Sequence, residues 1–236
     1  REHRENSFNK RKRDNSNMNK LNHIAFIMDG NGRWGKSKNK GRNYGHLKGV
    51  ETVKKIVGSS IKLKIPFITF FVFSSENWKR PKTEIKFLFK LIKNYFHKEI
   101  DNVTKQGIKI NILGEMSELP SDLKKTLIKC QNLTKNNKNI NVNLAINYGA
   151  KNEIIMAVKK SKKISLKNLE KNLYTKKMPN PDILIRTGGN QRLSNFMLWQ
   201  MAYTELFFLK KLWPDFNLKD LKKIIHKYKT GIRNFG

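Results

Sequence analysis

The sequence predicts a single α/β domain in which a mainly parallel six-stranded sheet is flanked by helices. Short apolar runs alternate with longer amphipathic segments, a pattern typical of strands and helices that follow one another. Most of these runs are apolar nearly throughout, as expected of parallel strands covered on both faces. Polar loops follow three of the runs, at the position where α/β sheets bind their ligands. The 236 residues show no internal repeat and no second domain.

The charge is strongly basic, with a formal net charge of +32 from 50 Lys and Arg against 18 Asp and Glu. Such a surface attracts nucleic acid, anionic lipid or phosphorylated substrates. Residues 1–20 lack the apolar side chains needed to offset the entropy of ordering, so we expect a disordered basic tail there. A folded domain is expected at residues 21–236, where the scattered lysines favour a solvated basic surface.

Two further counts limit the class of protein. The single cysteine, Cys130, excludes an internal disulfide framework. No apolar run is long enough to cross a membrane, so we expect a soluble or peripheral protein.

The first half of the domain alternates strands and helices. A strand at residues 22–28 leads through a glycine turn into one continuous helix that ends near Ser60. A second strand at residues 65–73 leads through a polar loop into a helix capped by Thr83. The apolar stripe of that helix is wider than one core-facing side needs, so the helix is either deeply buried or the wall of an apolar cavity. This stripe comprises Ile85, Phe87, Leu88, Phe89, Leu91, Ile92, Tyr95 and Phe96.

The second half continues the alternation, which favours parallel pairing and places the three polar loops at one edge of the sheet. Strands are predicted at residues 108–113, 140–147, 182–185 and 205–208. Helices are predicted at residues 121–135, 153–162, 165–173 and 218–229, the third of them capped by Ser165.

The first polar loop carries an acid directly after the first strand. Asp29 cannot bind a phosphate itself, because like charges repel, but it can hold Mg²⁺ that binds the phosphate. Gly30 and Gly32 allow the backbone to approach a ligand closely. Taken alone, Asp29 could equally be a helix N-cap.

The three loops together hold four or five arginines, one histidine and few acids. Arginine forks match phosphate oxygens in geometry, so the cleft suits a substrate with several phosphates and a divalent cation. Each residue also has a structural alternative: His46 as a packing partner, Trp78 as a core residue, and the segment at 186–189 as a plain turn. The candidates are Asp29, Asn31, Arg33, Arg42, His46, Ser74, Asn77, Trp78, Arg80, Arg186, Arg192, Ser194 and, as a second acid, Glu205.

Several common signatures are missing from the sequence. There is no G-x-x-x-x-G-K-[ST] loop, no G-x-G-x-x-G fingerprint and no Cys/His cluster for zinc. The D-D-x-x-D motif of trans-prenyl synthases is absent as well.

Three long blocks resemble the signatures of the cis-prenyltransferases, the undecaprenyl diphosphate synthase family. The first is residues 23–34 with Arg42, Gly45 and His46. The second is residues 73–81 with Glu84. The third is residues 182–196, continuing through Trp199, Gln200, Tyr203, Glu205, Leu206, Trp213 and Pro214. The blocks occur in the family's order across residues 21–236.

The resemblance implies Mg²⁺-dependent, sequential condensation of isopentenyl diphosphate with an allylic diphosphate such as farnesyl diphosphate, giving a long cis-polyprenyl diphosphate. It implies that Asp29 and Glu205 serve the metal, that Ser74 and Asn77 lie where a proton leaves, and that His46 supports diphosphate departure. An apolar tunnel between sheet and helices would receive the growing chain. The residues implied for the allylic diphosphate are Gly30, Asn31, Gly32, Arg33, Trp34, Arg42, His46, Trp78 and Arg80; those implied for isopentenyl diphosphate are Arg186, Arg192 and Ser194.

The same resemblance implies partners and a place in the cell. The second block is closer to the bacterial and plastid form, which implies a homodimer in the cytoplasm or a plastid-like organelle. Product release implies peripheral contact with a membrane. The sequence departs from the family pattern at Asn190-Gln191, where many members have an acid followed by His or Gln. It departs again at Asn234, where Arg is usual and Arg233 is adjacent.

Two rival interpretations come from other classes. A nucleic-acid-binding protein would interleave basic and aromatic residues on one face, whereas here the arginines concentrate in three loops, so no specific nucleic-acid partner is predicted. A non-catalytic subunit of the family would not need Asp29, Asn77 and Arg192, which this chain has.

Overall fold

The computed structural model describes residues 20–231, within which the sheet has six strands. Nearly all of the predicted tail lies outside these residues, as does the departure from the family pattern at Asn234 with its neighbour Arg233. The strands are β1 (His23–Ile27), β2 (Phe67–Ser74), β3 (Ile108–Leu113), β4 (Ile140–Tyr148), β5 (Ile183–Arg186) and β6 (Glu205–Phe208).

The strand order is β3-β4-β2-β1-β5-β6, and every neighbouring pair is parallel. The predicted fold class is therefore confirmed. Strands β2, β1 and β5 are adjacent in the middle of the sheet, and the chain leaves β1 towards β2 on one side before it returns to β5 on the other. Such a reversal of strand order opens a crevice at the carboxyl ends of the strands.

Seven α-helices cover the sheet within the described residues. The helix predicted to run without a break to Ser60 is instead two helices, because Asn39 and Gly41 adopt φ angles of 55° and 72° that no helix continues through. The helices are α1 (Asn31–Ser37), α2 (Gly41–Lys62), α3 (Lys82–Lys105), α4 (Ser121–Thr134), α5 (Ala150–Lys160), α6 (Leu166–Asn172) and α7 (Leu218–Thr230).

The two predicted helix caps had different outcomes. Ser165 caps α6 as predicted, and its side chain accepts a hydrogen bond from the backbone N–H of Asn168 at 3.3 Å. The cap at Thr83 is wrong, because α3 already begins at Lys82 with Pro81 at its N-cap position. The carbonyl of Pro81 accepts hydrogen bonds from the backbone N–H groups of Glu84 and Ile85, at 3.0 and 3.2 Å, so the helix begins before the threonine.

The core has one apolar layer on each face of the sheet. In β1, Ile24 and Phe26 belong to one layer, and Ala25 and Ile27 to the other. This alternation is the two-residue period of a strand buried on both sides. No described helix has the combination of length and apolarity that a bilayer crossing requires.

Candidate active site

Asp29 lies just past the carboxyl end of β1, and three side chains donate to its carboxylate. Arg33 Nη2 is 3.3 Å from Oδ1, while Arg186 Nη2 and Asn190 Nδ2 are 3.0 and 2.8 Å from Oδ2. Gly30, with a φ of 106°, occupies the N-cap position of α1. Asp29 is therefore not a helix cap, and it joins the first and third polar loops.

The carboxyl of Asp29 remains ionised at neutral pH. Burial by itself would raise its pKa, but hydrogen bonds from Asn190 and Arg186 and the positive charges of Arg186 and Arg33 outweigh burial, and the pKa lies below its usual value. Asp29 therefore places a fixed negative charge among the arginines that line the cleft.

Arg186 is buried and connects Asp29 to the third loop. Its Nη1 donates to the hydroxyl of Ser194 at 2.8 Å and to the backbone carbonyl of Arg192, and its Nη2 donates to Asp29. Ser194 has a φ of 51°, a left-handed conformation that is uncommon for a residue other than glycine. The guanidinium thus holds the third loop in its strained form.

A polar cleft of about 420 Å³ opens where the three loops meet. It brings together ten of the residues that the sequence singled out. These are Asp29, Asn31, Arg33, His46, Ser74, Asn77, Arg80, Arg186, Arg192 and Ser194, and Asn190 lines the cleft beside them.

An apolar cavity of about 130 Å³ adjoins the cleft. Five residues line both spaces, so the two are neighbours across a common wall: Met28, Asn31, His46, Val72 and Leu88. The wide stripe of α3 has both of its expected roles, since Ile85 and Phe89 are buried in the core while other members line the cavity. The members that line it are Leu88, Leu91, Ile92, Tyr95 and Phe96.

The two tryptophans predicted near the allylic diphosphate support loops and are not among the residues lining the cleft. Trp34 Nε1 donates to Asp215 at 2.8 Å, and its ring stacks on Tyr44. Trp78 Nε1 donates to Asn147 at 2.8 Å. Trp78 is 37% exposed, so it is not the buried core residue of its structural alternative either.

The second loop is a short 3-10 helix at Ser75–Lys79 with a reciprocal cap. The side chain of Asn77 accepts a hydrogen bond from the backbone N–H of Ser74 at 3.2 Å. This contact fixes both candidate proton-handling groups at the end of β2, where they line the cleft.

His46 lies on α2 between the cleft and the apolar cavity. Burial lowers the pKa of its imidazole, the positive charges of Arg80 and Arg42 lower it further, and the nearby carboxylate of Glu84 opposes the shift without cancelling it. We therefore expect a neutral imidazole at neutral pH.

Two side chains that organise the site had no predicted role. Asn190 bonds to Asp29 and accepts a hydrogen bond from Arg192 Nη1 at 3.2 Å. Glu84 contacts Arg42 and Arg80. Glu84 was available as a signal through its place in the second family block and its four-residue spacing from Arg80. Asn190 stood out only as a departure from the family pattern, which did not indicate its contact with Asp29.

Glu205 does not join Asp29 within one chain. It begins β6 and pairs with Ile183, whereas Asp29 follows the far end of β1, at the level where Ile27 pairs with Arg186. Because all strands are parallel, Glu205 lies at the amino ends of the strands and Asp29 lies at their carboxyl ends. Within a single chain, Glu205 therefore does not lie beside Asp29, where the resemblance implies a metal ligand.

The donor set of the cleft fits Mg²⁺ held jointly with a substrate. Among residues 20–231 no three His, Cys, Asp or Glu side chains form a metal-binding group, and Asp29 is the acid that lines the cleft. Mg²⁺ commonly uses one or two carboxylates, substrate phosphates and water rather than a cage of protein ligands. Asp29 is the residue that would hold it.

Comparisons with known proteins agree with this geometry. The family model described as "Putative undecaprenyl diphosphate synthase" matches residues 27–236. An isoprenyl transferase of Clostridium perfringens is 43% identical over 225 residues, covering 91% of this chain and 89% of the relative. One from Rickettsia sibirica is 42% identical over 224 residues, covering 93% and 99%.

Two solved structures share the fold. Lavandulyl diphosphate synthase from Lavandula x intermedia, in complex with dimethylallyl diphosphate, has a TM-score of 0.87 at 32% identity and covers 92% of this chain and 99% of its own. A probable undecaprenyl diphosphate synthase from Campylobacter jejuni has a TM-score of 0.78 at 32% identity and covers 92% and 98%. The chain therefore belongs to the undecaprenyl diphosphate synthase family of cis-prenyltransferases and is a transferase of prenyl groups.

Proposed function

We propose that this protein condenses isopentenyl diphosphate repeatedly with an allylic diphosphate, farnesyl diphosphate in the first instance, to give a long cis-polyprenyl diphosphate. The observation that carries the proposal is the common wall of the polar cleft and the apolar cavity. A prenyl diphosphate has the same division, with a charged head and an apolar tail. The arginines suit the head, and the apolar walls suit a tail that would otherwise remain in water.

The proposed allylic site uses the turn at residues 30–33 together with Arg42 and Arg80. Asp29 would hold Mg²⁺ against the diphosphate, which supplies positive charge where the leaving group gains negative charge. His46, as a neutral imidazole beside this site, would support departure of the diphosphate.

The proposed isopentenyl diphosphate site uses Arg186, Arg192 and Ser194 on the third loop. Ser74 and Asn77, fixed at the end of β2, line the same cleft. They would receive or orient the proton that leaves the condensing carbon. We assign this chemistry to residues 21–236 and none of it to residues 1–20.

The apolar cavity is the proposed entrance of a tunnel for the growing chain. Each added isoprene unit brings apolar surface that is stabilised by leaving water, at about 25 cal/mol per Å². The α3 side chains that line the cavity would therefore contact the product and not the diphosphates.

We further propose a homodimer that contacts a membrane surface peripherally, in the cytoplasm or a plastid-like organelle. The resemblance of residues 73–81 to the bacterial and plastid form supports the dimer, and the basic charge of +32 supports attraction to anionic lipid. Analytical ultracentrifugation tests the dimer, and cosedimentation with anionic vesicles tests the membrane contact. Fractionation of cells tests the compartment.

One experiment tests the reaction. Purified protein is incubated with farnesyl diphosphate, labelled isopentenyl diphosphate and Mg²⁺, and the products are sized by chromatography. Parallel reactions use dimethylallyl diphosphate, a chelator, and a variant lacking residues 1–20. We expect Mg²⁺-dependent products of increasing length with farnesyl diphosphate, with or without the first 20 residues; the absence of any condensation would refute the proposal.

A further inference from the structure

Glu84, in the first turn of α3, contacts three side chains of the proposed allylic site. Its Oε1 accepts hydrogen bonds from Arg42 Nη2 at 3.0 Å and from Arg80 Nη1 at 3.2 Å. The same oxygen lies 3.5 Å from Nε2 of His46. These partners come from α2 and from the loop after the 3-10 helix, so Glu84 connects three separate parts of the site.

The geometry places the carboxylate behind the two guanidinium groups. The side chain of Glu84 is 11% exposed, whereas those of Arg42 and Arg80 are 45% and 35% exposed. Each guanidinium has five N–H donors and uses only one on Glu84, so the others remain for a phosphate. The guanidinium of Arg42 also packs on Gly32, where an added Cβ would lie 2.9 Å from its Cζ.

The charge of Glu84 is what allows these groups to lie together. Burial alone would raise the pKa of its carboxyl, but Arg42 and Arg80 more than compensate, and the pKa lies below its usual value. Without this anion, two guanidinium groups would repel each other, and both would be free to take other rotamers.

We propose that Glu84 is a positioning residue for the allylic diphosphate, holding Arg42 and Arg80 side by side so that both donate to it; this rests on the proposed function. The opposite role is also physically possible: the carboxylate could occupy the place of a phosphate and compete with it. The sign of one measurement separates the two. If Glu84 competes with the diphosphate, removing its negative charge should strengthen diphosphate binding, because a repulsion is lost. If Glu84 positions the two arginines, the same change should weaken binding.

The test is Glu84→Gln, with binding of farnesyl diphosphate measured by calorimetry in the absence of isopentenyl diphosphate. We expect the dissociation constant to rise about tenfold, the scale of one charged hydrogen bond to phosphate. The KM for isopentenyl diphosphate should stay unchanged, because its proposed residues lie on the third loop. Glu84→Asp, which keeps the charge on a shorter side chain, should fall between wild type and Glu84→Gln.

The matched control is Glu99→Gln. Glu99 lies on the same helix and pairs with Lys54 of α2 at 2.8 Å, so it joins the same two helices without touching the cleft. This variant should bind farnesyl diphosphate as wild type does. A loss of affinity equal to that of Glu84→Gln would mean that helix pairing, not positioning of the arginines, is responsible, and would overturn the proposal.

A double-mutant cycle gives the second readout. In an Arg42→Ala, Arg80→Ala background, Glu84→Gln should cause no further loss of farnesyl diphosphate affinity, because Glu84 acts through those two residues. If Glu84→Gln does not fold, as judged by thermal unfolding, Glu84→Asp carries the test, and an unchanged dissociation constant overturns the proposal.

Wild-type protein that binds neither farnesyl diphosphate nor inorganic diphosphate would overturn the proposed function together with this inference. Normal wild-type binding with equal or tighter binding by Glu84→Gln would overturn this inference alone.

Discussion

At the scale of single residues, Asp29 has two roles: it balances the charge of a buried arginine, and it is the proposed metal ligand. Its carboxylate neutralises Arg186, whose side chain is only 5% exposed, and it is also the proposed metal ligand. A buried guanidinium that loses its counterion costs free energy, since no water replaces the missing partner. A change at this residue should therefore affect both turnover and folding.

We expect Asp29→Asn to abolish condensation and to lower the free energy of unfolding by roughly 1–3 kcal/mol, the cost of leaving a charged donor underpaired. Product formation from labelled isopentenyl diphosphate and a urea titration measure the two effects. The control is Asp122→Asn, which removes a surface pair with Lys93 and should leave turnover unchanged. Normal turnover by Asp29→Asn would exclude this residue from the mechanism.

The two diphosphate sites should be separable by single arginines. Arg192 is exposed at the cleft and makes one side-chain contact, to Asn190, so its loss should spare the fold. Arg192→Ala should raise the KM for isopentenyl diphosphate by one to two powers of ten, since removing a charged donor costs about 1.5–3 kcal/mol. Farnesyl diphosphate affinity should barely change.

Arg42→Ala is the reciprocal variant and should weaken farnesyl diphosphate first. Steady-state kinetics for one substrate and calorimetry for the other make the comparison. Weaker farnesyl diphosphate binding by Arg192→Ala, with isopentenyl diphosphate spared, would mean that the two sites are exchanged.

At the scale of elements, α1 and α2 touch through glycines, and this contact brings Gly32 of α1 against Arg42 of α2. A Cβ on Gly45 would lie 1.8 Å from the backbone oxygen of Asn31, and one on Gly35 would lie 2.0 Å from that of Gly41. Backbone atoms cannot move aside as a flexible side chain can. The two helices are therefore held at a distance that only glycine permits.

Gly45→Ala should lower the free energy of unfolding by roughly 3 kcal/mol or more, because the methyl group would force the helices apart. Gly58→Ala is the matched control on the same helix, where no atom lies within 4 Å of the added carbon. It should be neutral or stabilising by up to about 1 kcal/mol through helix propensity. Urea titrations of both variants decide the point, and equal stabilities would contradict the packing argument.

Elements that depend on interactions between neighbouring residues were predicted better than contacts between segments far apart in the sequence. The strands at Ile108–Leu113 and Glu205–Phe208 were predicted to the residue, and glycines bound the first of them on both sides. The break between α1 and α2 was missed although Asn39 and Gly41 are typical turn residues. The roles of Glu84 and Asn190 could not be predicted, since each depends on contacts between segments far apart in sequence.

At the scale of the whole molecule, a row of polar side chains crosses the buried sheet. His23 Nε2 is 2.7 Å from the hydroxyl of Thr69, which accepts a hydrogen bond from Asn143 at 2.9 Å, and Asn143 in turn accepts one from Asn111. His23 Nδ1 is 2.7 Å from the carbonyl of Pro179, which places the proton of the neutral ring there. The row joins β1, β2, β4 and β3.

This row should make the fold sensitive to acid. Burial lowers the pKa of His23 to about 4, although its bond to Pro179 opposes the shift, whereas the unfolded chain titrates near 6.5. Between these values the unfolded state binds a proton that the folded state does not, so stability falls as the pH drops through this window. From about pH 7 to about pH 5 the loss should be roughly 2 kcal/mol.

Urea titrations at the two pH values, in wild type and His23→Gln, measure this contribution. The variant should lose the part of the pH dependence that His23 supplies, whereas His97→Gln, at an exposed position, should retain it. An identical pH dependence in wild type and His23→Gln would show that the buried ring does not couple folding to acid.

The pairing of β1 with β5 also has a consequence for synthesis on the ribosome. Asp29 obtains its partners Arg186 and Asn190 from positions 157 and 161 residues later in the chain, and Trp213 N–H binds its backbone oxygen. A nascent chain therefore carries β1 with one unpaired edge until most of the protein has been translated. Exposed strand edges invite wrong pairing, so the interval before β5 emerges is the period when this protein most needs a chaperone.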